Sequence, residues 1–206
     1  MTTNDQTQDA SDLFGHATPA APTDLRALHD RLAANAETAG LLDVAYRTMD
    51  TPIGTLLLAA TPIGLVRVAF DSEGLDAVLE GLAVKVSPRI LNAPKRLDGT
   101  ARELEEYFAG DRHQFDLPLD LSLSSGFRRT VLTYLPDIAY GRTASYGDVA
   151  AAVHNPKAVR AVGTACATNP LPLVIPCHRV IRSDGLTGAY RGGAAAKRHL
   201  LNMEAA

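Results

Sequence analysis

The sequence predicts an α+β fold with a small amino-terminal sheet domain with helices, followed by a mainly helical carboxyl-terminal domain that contains a helix-turn-helix. Three short apolar runs between residues 44 and 70, separated by turn residues, indicate the sheet. From residue 126 onward, helical patterns replace the strand patterns. The charge changes at the same place: residues 1–126 hold 10 basic and 19 acidic residues, whereas residues 127–206 hold 10 basic and 4 acidic residues. The carboxyl-terminal part is therefore the part suited to a polyanionic partner.

The first residues of the chain do not have the pattern of a folded domain. Residues 1–22 are polar and contain Pro19 and Pro22, which predicts a disordered leader. The leader has neither the basic region nor the apolar core of a secretory signal, so we expect a cytoplasmic protein. An additional helix is expected over 23–40, with Thr23 as its cap. The apolar stripe of this helix consists of Leu25, Leu28 and Leu32.

A small α/β domain is expected over residues 41–120. The predicted strands are VAYRTM at 44–49, GTLLLAAT at 54–61 and GLVRVAF at 64–70. Helices are predicted for GLDAVLEGLAVKV and GTARELEEYFAG, the second of which stops at Gly110. The stretch PLDLSLSS then links this domain to the next one.

The last domain is expected over residues 121–206, with four helices. FRRTVLTYLPDI forms the first, which ends near Pro136, and GGAAAKRHLLNMEAA forms the last. Between them, we predict a helix from Ser145 to Val153, a turn at HNP, and a helix from Lys157 to Ala167. Ser145 and Asp148 form a variant of the capping box at the first of these two helices. Pro156 suits the start of the second.

The predicted helix pair has two interpretations. A structural helical hairpin is the more common one, since most such pairs bind no ligand. The second helix, KAVRAVGTACA, favours nucleic acid, because its exposed positions are small apart from Lys157 and Arg160. Such a helix can lie close to a backbone or in a narrow groove. Arg160 could then enter a duplex or contact phosphate.

The stretch LPLVIPCHRVIRSDG, residues 171–185, places Cys177 directly before His178 at the end of a strand-like run. Neighbouring strand residues point to opposite faces, so the two side chains can cooperate only if the strand-like segment ends there in a bend. A thiolate next to a base is a strong nucleophile. The alternative is a buried structural cysteine beside a surface histidine.

No cofactor and no metal are expected. Cys166 and Cys177 are the only two cysteines, which form no disulfide framework. A structural zinc site usually takes four Cys or His ligands in close pairs, and the spacing of Cys177, His178 and His199 does not favour one.

Several motifs in this part of the chain resemble one known family. VIPCHRVIRSDG, with NP seven residues before the cysteine and GAYRGG after it, is similar to the active-site region of the O6-alkylguanine-DNA alkyltransferases, whose signature is PCHR. SYGDVAAAV, NPKAVRAVG and the terminal KRHLLNMEAA match the family in order and spacing. The resemblance is strong over 126–205, weaker over 44–110, and does not include 1–40.

The resemblance implies a single-turnover methylated-DNA–protein-cysteine S-methyltransferase that repairs DNA directly. An alkyl group passes from O6-alkylguanine, and from O4-alkylthymine, to Cys177 after the base is flipped from the duplex. His178 would take the thiol proton through a water, oriented by Glu204, and Tyr146 would donate to the leaving base. Asn169 would hold the turn before the cysteine.

The remaining expected roles also follow from the resemblance. The predicted pocket residues are Tyr190, Arg191, Val180, Pro172 and Cys166. The predicted DNA-binding residues are Arg160, Tyr146, Ser145, Lys157, Gly163 and Ala165. Arg182 and Lys197 are further candidates for phosphate contacts, and Arg179 is expected to make structural ion pairs. The expected partner is double-stranded DNA with O6-alkylguanine, bound through its minor groove by a monomer near the nucleoid.

Two other functions stay open from the residues. Alkyltransferase-like proteins recognise alkylguanine without repairing it, but they lack the nucleophile that Cys177 provides. An unrelated thiol hydrolase would use Cys177 and His178 with an oxyanion site and would turn over. No membrane association is expected, because the most apolar stretch, residues 53–70, is interrupted by Pro62 and Arg67.

Overall fold

The computed structural model describes residues 22–205. The leader predicted for 1–22 lies outside these residues except for Pro22, at which the first helix begins. Helix α1 spans Pro22–Thr38, close to the predicted 23–40. The apolar side chains of its predicted stripe are about half exposed: Leu25, Leu28 and Leu32. None of the helices within the described residues is long and apolar enough to cross a membrane.

A four-stranded sheet forms the centre of the amino-terminal part. The predicted strands are confirmed as β1 (Val44–Met49), β2 (Leu56–Ala60) and β3 (Leu65–Phe70). The chain also forms β4 (Ile90–Asn92), which sequence patterns did not predict. The strand order is β3-β2-β1-β4, with β4 parallel to β1 and the other pairs antiparallel.

Strand β2 has both faces buried, because its side chains alternate between two cores. Leu56 and Leu58 face the main core, which continues into the carboxyl-terminal part. Leu57 and Ala59 face a second core under helix α2 (Leu75–Lys85). Helix α3 (Asp98–Ala109) ends at Gly110, whose φ of 83° is the left-handed conformation expected of a helix stop. The sheet therefore packs directly against the part of the chain that carries Cys177.

The carboxyl-terminal part consists of helices joined by short turns. Helix α4 spans Gly126–Tyr134 and ends in a 3-10 turn at Leu135–Asp137. The short strands β5 (Ala144–Ser145) and β6 (Val180–Ile181) pair in parallel. The remaining helices are α5 (Tyr146–Ala152), α6 (Val159–Ala167) and α7 (Gly193–Glu204).

The helix pair α5–α6 has the predicted capping box. The Ser145 hydroxyl accepts from the Asp148 amide at 3.0 Å, and the Asp148 carboxylate accepts from the Ser145 amide at 2.8 Å. The second helix begins two residues later than predicted. Pro156 and Lys157 lie in a turn, in which the Ala158 amide donates to the Asn155 carbonyl at 2.9 Å. Proline is favoured at the second position of such a turn, which Pro156 occupies.

The apolar run before Cys177 is a compact turn, which corrects the strand-like interpretation of 171–175. Its Ile175 amide bonds the Leu171 carbonyl at 2.8 Å, and Leu173 has a φ of 75° although it is not glycine. Pro172 and Pro176 offer no amide to a sheet, so local bonds replace a strand ladder. Every residue from 169 to 180 is buried.

Candidate active site

Asn169 fixes the turn that leads to the cysteine. Its Nδ2 donates to the Ile175 carbonyl at 2.9 Å, and its Oδ1 accepts from the Leu171 amide at 2.9 Å. The side chain is 1% exposed, so both bonds are shielded from water. Asn169 thus connects both ends of the turn.

Cys177, His178 and Arg179 form a 3-10 turn directly after this loop. The turn supplies the bend that the sequence required, and the Cys177 amide donates to the Ile175 carbonyl at 2.8 Å. Cys177 is 3% exposed and His178 is fully buried. Burial raises the pKa of the Cys177 thiol, although the Asn169 side chain and the charge of Lys197 oppose this. The resting thiol is therefore protonated, and a base must remove its proton.

His178 forms a buried pair with Glu204, at the end of α7. Its Nε2 lies 2.8 Å from Glu204 Oε1. Burial alone would raise the pKa of Glu204, but hydrogen bonds from His178 and Arg179 hold it at about 2. An anionic carboxylate can only accept, so Nε2 carries the imidazole proton. Burial lowers the pKa of His178 despite the opposing effect of Glu204, so the ring is neutral near pH 7.

The other ring nitrogen of His178 is available as a base. Nδ1 is buried and has no hydrogen-bond partner among residues 22–205. In the neutral tautomer that Glu204 imposes, this nitrogen carries a lone pair. The arrangement of a buried thiol, a neutral imidazole and an orienting carboxylate can activate a nucleophile.

Two further contacts hold Glu204 in place. Arg179 donates from Nε to Oε2 at 2.8 Å and from Nη2 to Oε1 at 3.0 Å, which is the structural ion pair predicted for it. Gly141 has a φ of 69° and would place a side-chain carbon 2.6 Å from the Glu204 carbonyl oxygen. Only glycine permits this close approach to the end of α7.

Tyr146 is the first residue of α5. Burial, together with Cys166 and Cys177, raises the pKa of its phenol, which therefore keeps its proton and can donate. A Cβ at position 188 would lie 2.4 Å from the Tyr146 hydroxyl, so Gly188 allows the loop after Cys177 to pass directly over this group.

The predicted pocket residues differ in their positions. Pro172 is buried, and Cys166 is 6% exposed with a pKa raised to about 12, mainly by burial. The Tyr190 hydroxyl is buried without a hydrogen-bond partner in the described part of the chain. The Val180 carbonyl accepts from Lys197 Nζ at 2.6 Å, and this oxygen keeps a second lone pair.

Arg191 does not direct its side chain toward the thiol. Its Nη1 donates to Glu73 Oε2 at 2.7 Å, and its Nη2 donates to the Ala167 carbonyl at 3.2 Å. The side chain lines a cavity of about 350 Å³, together with Arg67 and Glu73. Only the backbone of Arg191 is thus left for the pocket.

The helix pair presents part of the predicted DNA-binding set to solvent. Arg160 and Lys157 are exposed, and Gly163 is half-buried. Ser145 uses its hydroxyl as the cap of α5. Ala165 is completely buried in the main core, and we therefore leave it out of the proposed DNA surface.

Arg182 and Lys197, the two additional candidates for phosphate contacts, differ in their exposure to solvent. Arg182 is exposed, although it pairs with Asp184 at 2.8 Å. Lys197 is fully buried and bonded to Val180, so the phosphate contact considered for it is wrong. No group of three or more His, Cys, Asp or Glu side chains that could hold a metal ion occurs within residues 22–205.

Comparison with known proteins agrees with the motifs. The family model for the 6-O-methylguanine DNA methyltransferase DNA binding domain matches residues 126–206, and the model for the ribonuclease-like domain matches residues 44–121. A methylated-DNA–protein-cysteine methyltransferase from Mycolicibacterium paratuberculosis is 38% identical over 161 residues, which cover 78% of this chain and 92% of that protein. The chain belongs to the 6-O-methylguanine DNA methyltransferase family.

Solved structures of this methyltransferase family share the fold. The Mycobacterium tuberculosis O6-methylguanine methyltransferase has a TM-score of 0.70 at 36% identity, covering 79% of this chain and 93% of its own. The structure of the enzyme from the same organism in complex with DNA has a TM-score of 0.68 at 36% identity, covering 78% and 92%. The resemblance drawn from PCHR and its flanking motifs is therefore confirmed.

Sequence reasoning missed one polar residue of the methyltransferase site. Tyr107, in α3, donates its hydroxyl to Glu204 Oε1 at 2.6 Å and is fully buried. The sequence marks it only as one apolar position of an amphipathic helix. Its partner lies 97 positions along the chain, so no local pattern could indicate the contact.

Proposed function

We propose that this protein repairs DNA by transferring the alkyl group of O6-alkylguanine to Cys177, once per molecule. The observation that carries the proposal is the buried Cys177–His178–Glu204 array, in which Glu204 fixes the histidine as a neutral base whose Nδ1 has no hydrogen-bond partner among residues 22–205. O4-alkylthymine is a second substrate by the same chemistry, since its alkyl group is also bonded to an exocyclic oxygen.

The transfer balances as a substitution at carbon. The Cys177 proton passes through a water to His178 Nδ1, and the sulfur attacks the alkyl carbon as the bond from carbon to guanine O6 breaks. The electron pair stays on the base, which is neutralised by a proton donated from Tyr146, and the phenol recovers its proton from the histidine or solvent. The products are guanine and an S-alkyl cysteine.

The product explains why a molecule acts once. The new bond is a thioether, which neither thiol exchange nor an ordinary base with water can cleave. Cys166 cannot restore Cys177, because a thiol opens disulfides and not thioethers. The protein is consequently a reagent consumed in equal amount with the lesion.

The target base must leave the duplex, because Cys177 is buried and an O6-alkyl group in a stacked pair is out of its reach. We assign α6 to the minor groove, where exposed Arg160 fills the gap left by the flipped base and Lys157 contacts phosphate. The carbonyls of Cys177 and Val180 accept the amino group of the base. Tyr190, Pro172, Cys166 and the Arg191 backbone form the pocket.

One molecule holds the nucleophile, the base and the helix pair, so a monomer suffices for this chemistry. The substrate, alkylated double-stranded DNA, places the site of action at the chromosome, and in a bacterium this means the cytoplasm near the nucleoid. No cofactor has a step in the transfer, since the proton acceptor and donor are side chains of the chain itself.

A titration tests the proposal. A duplex with one O6-methylguanine, placed where the lesion blocks a restriction enzyme, is incubated with increasing amounts of protein. We expect restored cleavage to rise linearly and to saturate at one lesion per molecule. Cys177→Ser should restore none, whereas the matched Cys166→Ser variant, which keeps the nucleophile, should still saturate at one lesion per molecule. Binding without repair, or many repairs per molecule, would contradict single transfer.

A further inference from the structure

The Tyr107 hydroxyl is the one polar group of helix α3 that reaches the His178–Glu204 pair among the hydrogen bonds of the described residues. It lies 2.6 Å from Glu204 Oε1 and 3.5 Å from His178 Nε2. The side chain is fully buried. A residue of the amino-terminal part thus contacts the base that the carboxyl-terminal part uses.

The direction of this hydrogen bond is fixed by charge. Burial and the neighbouring Glu204 carboxylate raise the pKa of Tyr107 far above its usual value, so the phenol stays protonated. Glu204 is anionic and can only accept. Tyr107 therefore donates, and a short bond from a hydroxyl to a buried carboxylate is among the stronger hydrogen bonds in proteins.

The ring of Tyr107 does not explain why this position is tyrosine. It packs against Phe108, Phe115 and Tyr140, with centroid distances of 5.5, 5.2 and 6.2 Å. Phenylalanine would make the same contacts without placing a hydroxyl in the core, where an unbonded one is costly. The bond to Glu204 is what the hydroxyl adds.

We propose that Tyr107 is a positioning residue for alkyl transfer, acting through Glu204 on the orientation and basicity of His178. Glu204 Oε1 receives three donors: Tyr107, His178 Nε2 and Arg179 Nη2. Each donor withdraws part of the negative charge from this oxygen. Without Tyr107, Oε1 attracts the imidazolium form of His178 more strongly, and the carboxylate loses one restraint on its position. The inference rests on the proposed function.

Other groups face the pair and set the background for any pH effect. They come from the 3-10 turn, the loops at 140 and 190, and helix α7: Cys177, Arg179, Tyr140, Tyr190 and Lys197. All five groups are present in both the parent and the Tyr107→Phe variant, so the difference between the two proteins reports the loss of the Tyr107 hydroxyl, with its hydrogen bond to Glu204 and its 3.5 Å contact with His178 Nε2.

The test is the single-turnover rate of methyl transfer to Tyr107→Phe as a function of pH. We expect the plateau rate to fall about tenfold, which corresponds to one hydrogen bond to a charged group. We also expect the midpoint of the acid limb to rise by about 0.5 to 1 pH unit, since His178 becomes easier to protonate. The matched control is Tyr134→Phe, which removes a hydroxyl from a tyrosine packed on the same core.

A second variant should shift the midpoint of the acid limb in the opposite direction. Site-specific 3-fluorotyrosine at 107 has a more acidic phenol and is a stronger donor, so the midpoint should fall. An unchanged midpoint in both variants would overturn the inference, even if the plateau rate fell, because a merely structural role lowers the rate equally at all pH values. If the parent itself transfers no methyl group, the proposed function fails instead, and NMR titration of the His178 ring in parent and Tyr107→Phe still decides the inference.

Discussion

Glu204→Gln tests the buried ion pair on which the site depends. The substitution keeps the side-chain shape but removes the charge that Arg179 and His178 both contact, at 2.8 Å each. The Glu204 side chain is 1% exposed and the Arg179 side chain 7%, so the guanidinium would be left buried without an anion. Removing one partner of a buried pair costs about 3–5 kcal/mol of unfolding free energy.

The pH dependence of the unfolding free energy gives a second figure for the contribution of the Glu204 charge. The Glu204 pKa of about 2 in the folded chain lies below its ordinary value of 4.5. A lowered pKa stabilises the fold above pH 4.5, and this stabilisation is lost as the pH falls toward 2. A difference of this size corresponds to about 3 kcal/mol. The gap in stability between parent and Glu204→Gln should therefore narrow over that range.

Urea unfolding at several pH values, with single-turnover transfer at neutral pH, measures both effects. Transfer should slow by about 10²- to 10⁴-fold, because the histidine loses the group that fixes its tautomer. The control is Glu103→Gln, which removes a similarly buried carboxylate whose partner Arg112 is more exposed, and should cost about 1 kcal/mol. A loss of unfolding free energy in Glu204→Gln no larger than in the control, with a transfer rate within threefold of the parent, would contradict a buried ion pair that stabilises the fold and orients His178.

Three further predictions concern base flipping by Arg160, the loop that carries Gly188, and the contact of Gly141 with the end of α7. Arg160→Ala should slow repair of duplex DNA on the order of a hundredfold and leave the reaction with free O6-benzylguanine nearly unchanged, since only the duplex requires base flipping. Equal losses of rate on both substrates would contradict a role of Arg160 in base flipping. Gly188→Ala should slow methyl transfer, because the new methyl group would lie 2.4 Å from the Tyr146 hydroxyl. An unchanged transfer rate would show that the loop can shift without displacing Tyr146. Gly141→Ala should lower the unfolding free energy by about 2 kcal/mol. The loss should be clearly larger than in Gly110→Ala, where φ is also positive but no atom of the described residues lies within 4 Å of the new methyl group. Similar losses of the two variants in urea unfolding would indicate backbone strain alone.

Local patterns predicted much of the fold. The strands β1 to β3, the helices α2 and α3 and the capping box at Ser145 all follow from residues close together in sequence. Strand β4 escaped prediction because it has three residues and exists only through its parallel pairing with β1. The apolar residues at 171–175 indicate a strand-like segment, because residue types alone do not reveal the hydrogen bonds of Asn169 that hold the turn.

The candidate site follows from the family motifs in part, and its other contacts depend on packing between distant segments. The motifs indicate Cys177, His178 and Glu204, and the fold brings the last two within 2.8 Å. Tyr107 and the buried state of Lys197 depend on contacts between separate elements, which residue types do not specify. The burial of Ala165 likewise depends on which face of α6 packs against the core, and the sequence of the helix does not determine this.

Alkyl transfer to Cys177 is tested most directly by the peptide masses of the protein after reaction with a duplex that contains one O6-methylguanine. We expect one added methyl group per molecule, located on the peptide with Cys177, and none on Cys166. A methyl group on another residue, or an unmodified protein that still binds the duplex, would contradict transfer to Cys177.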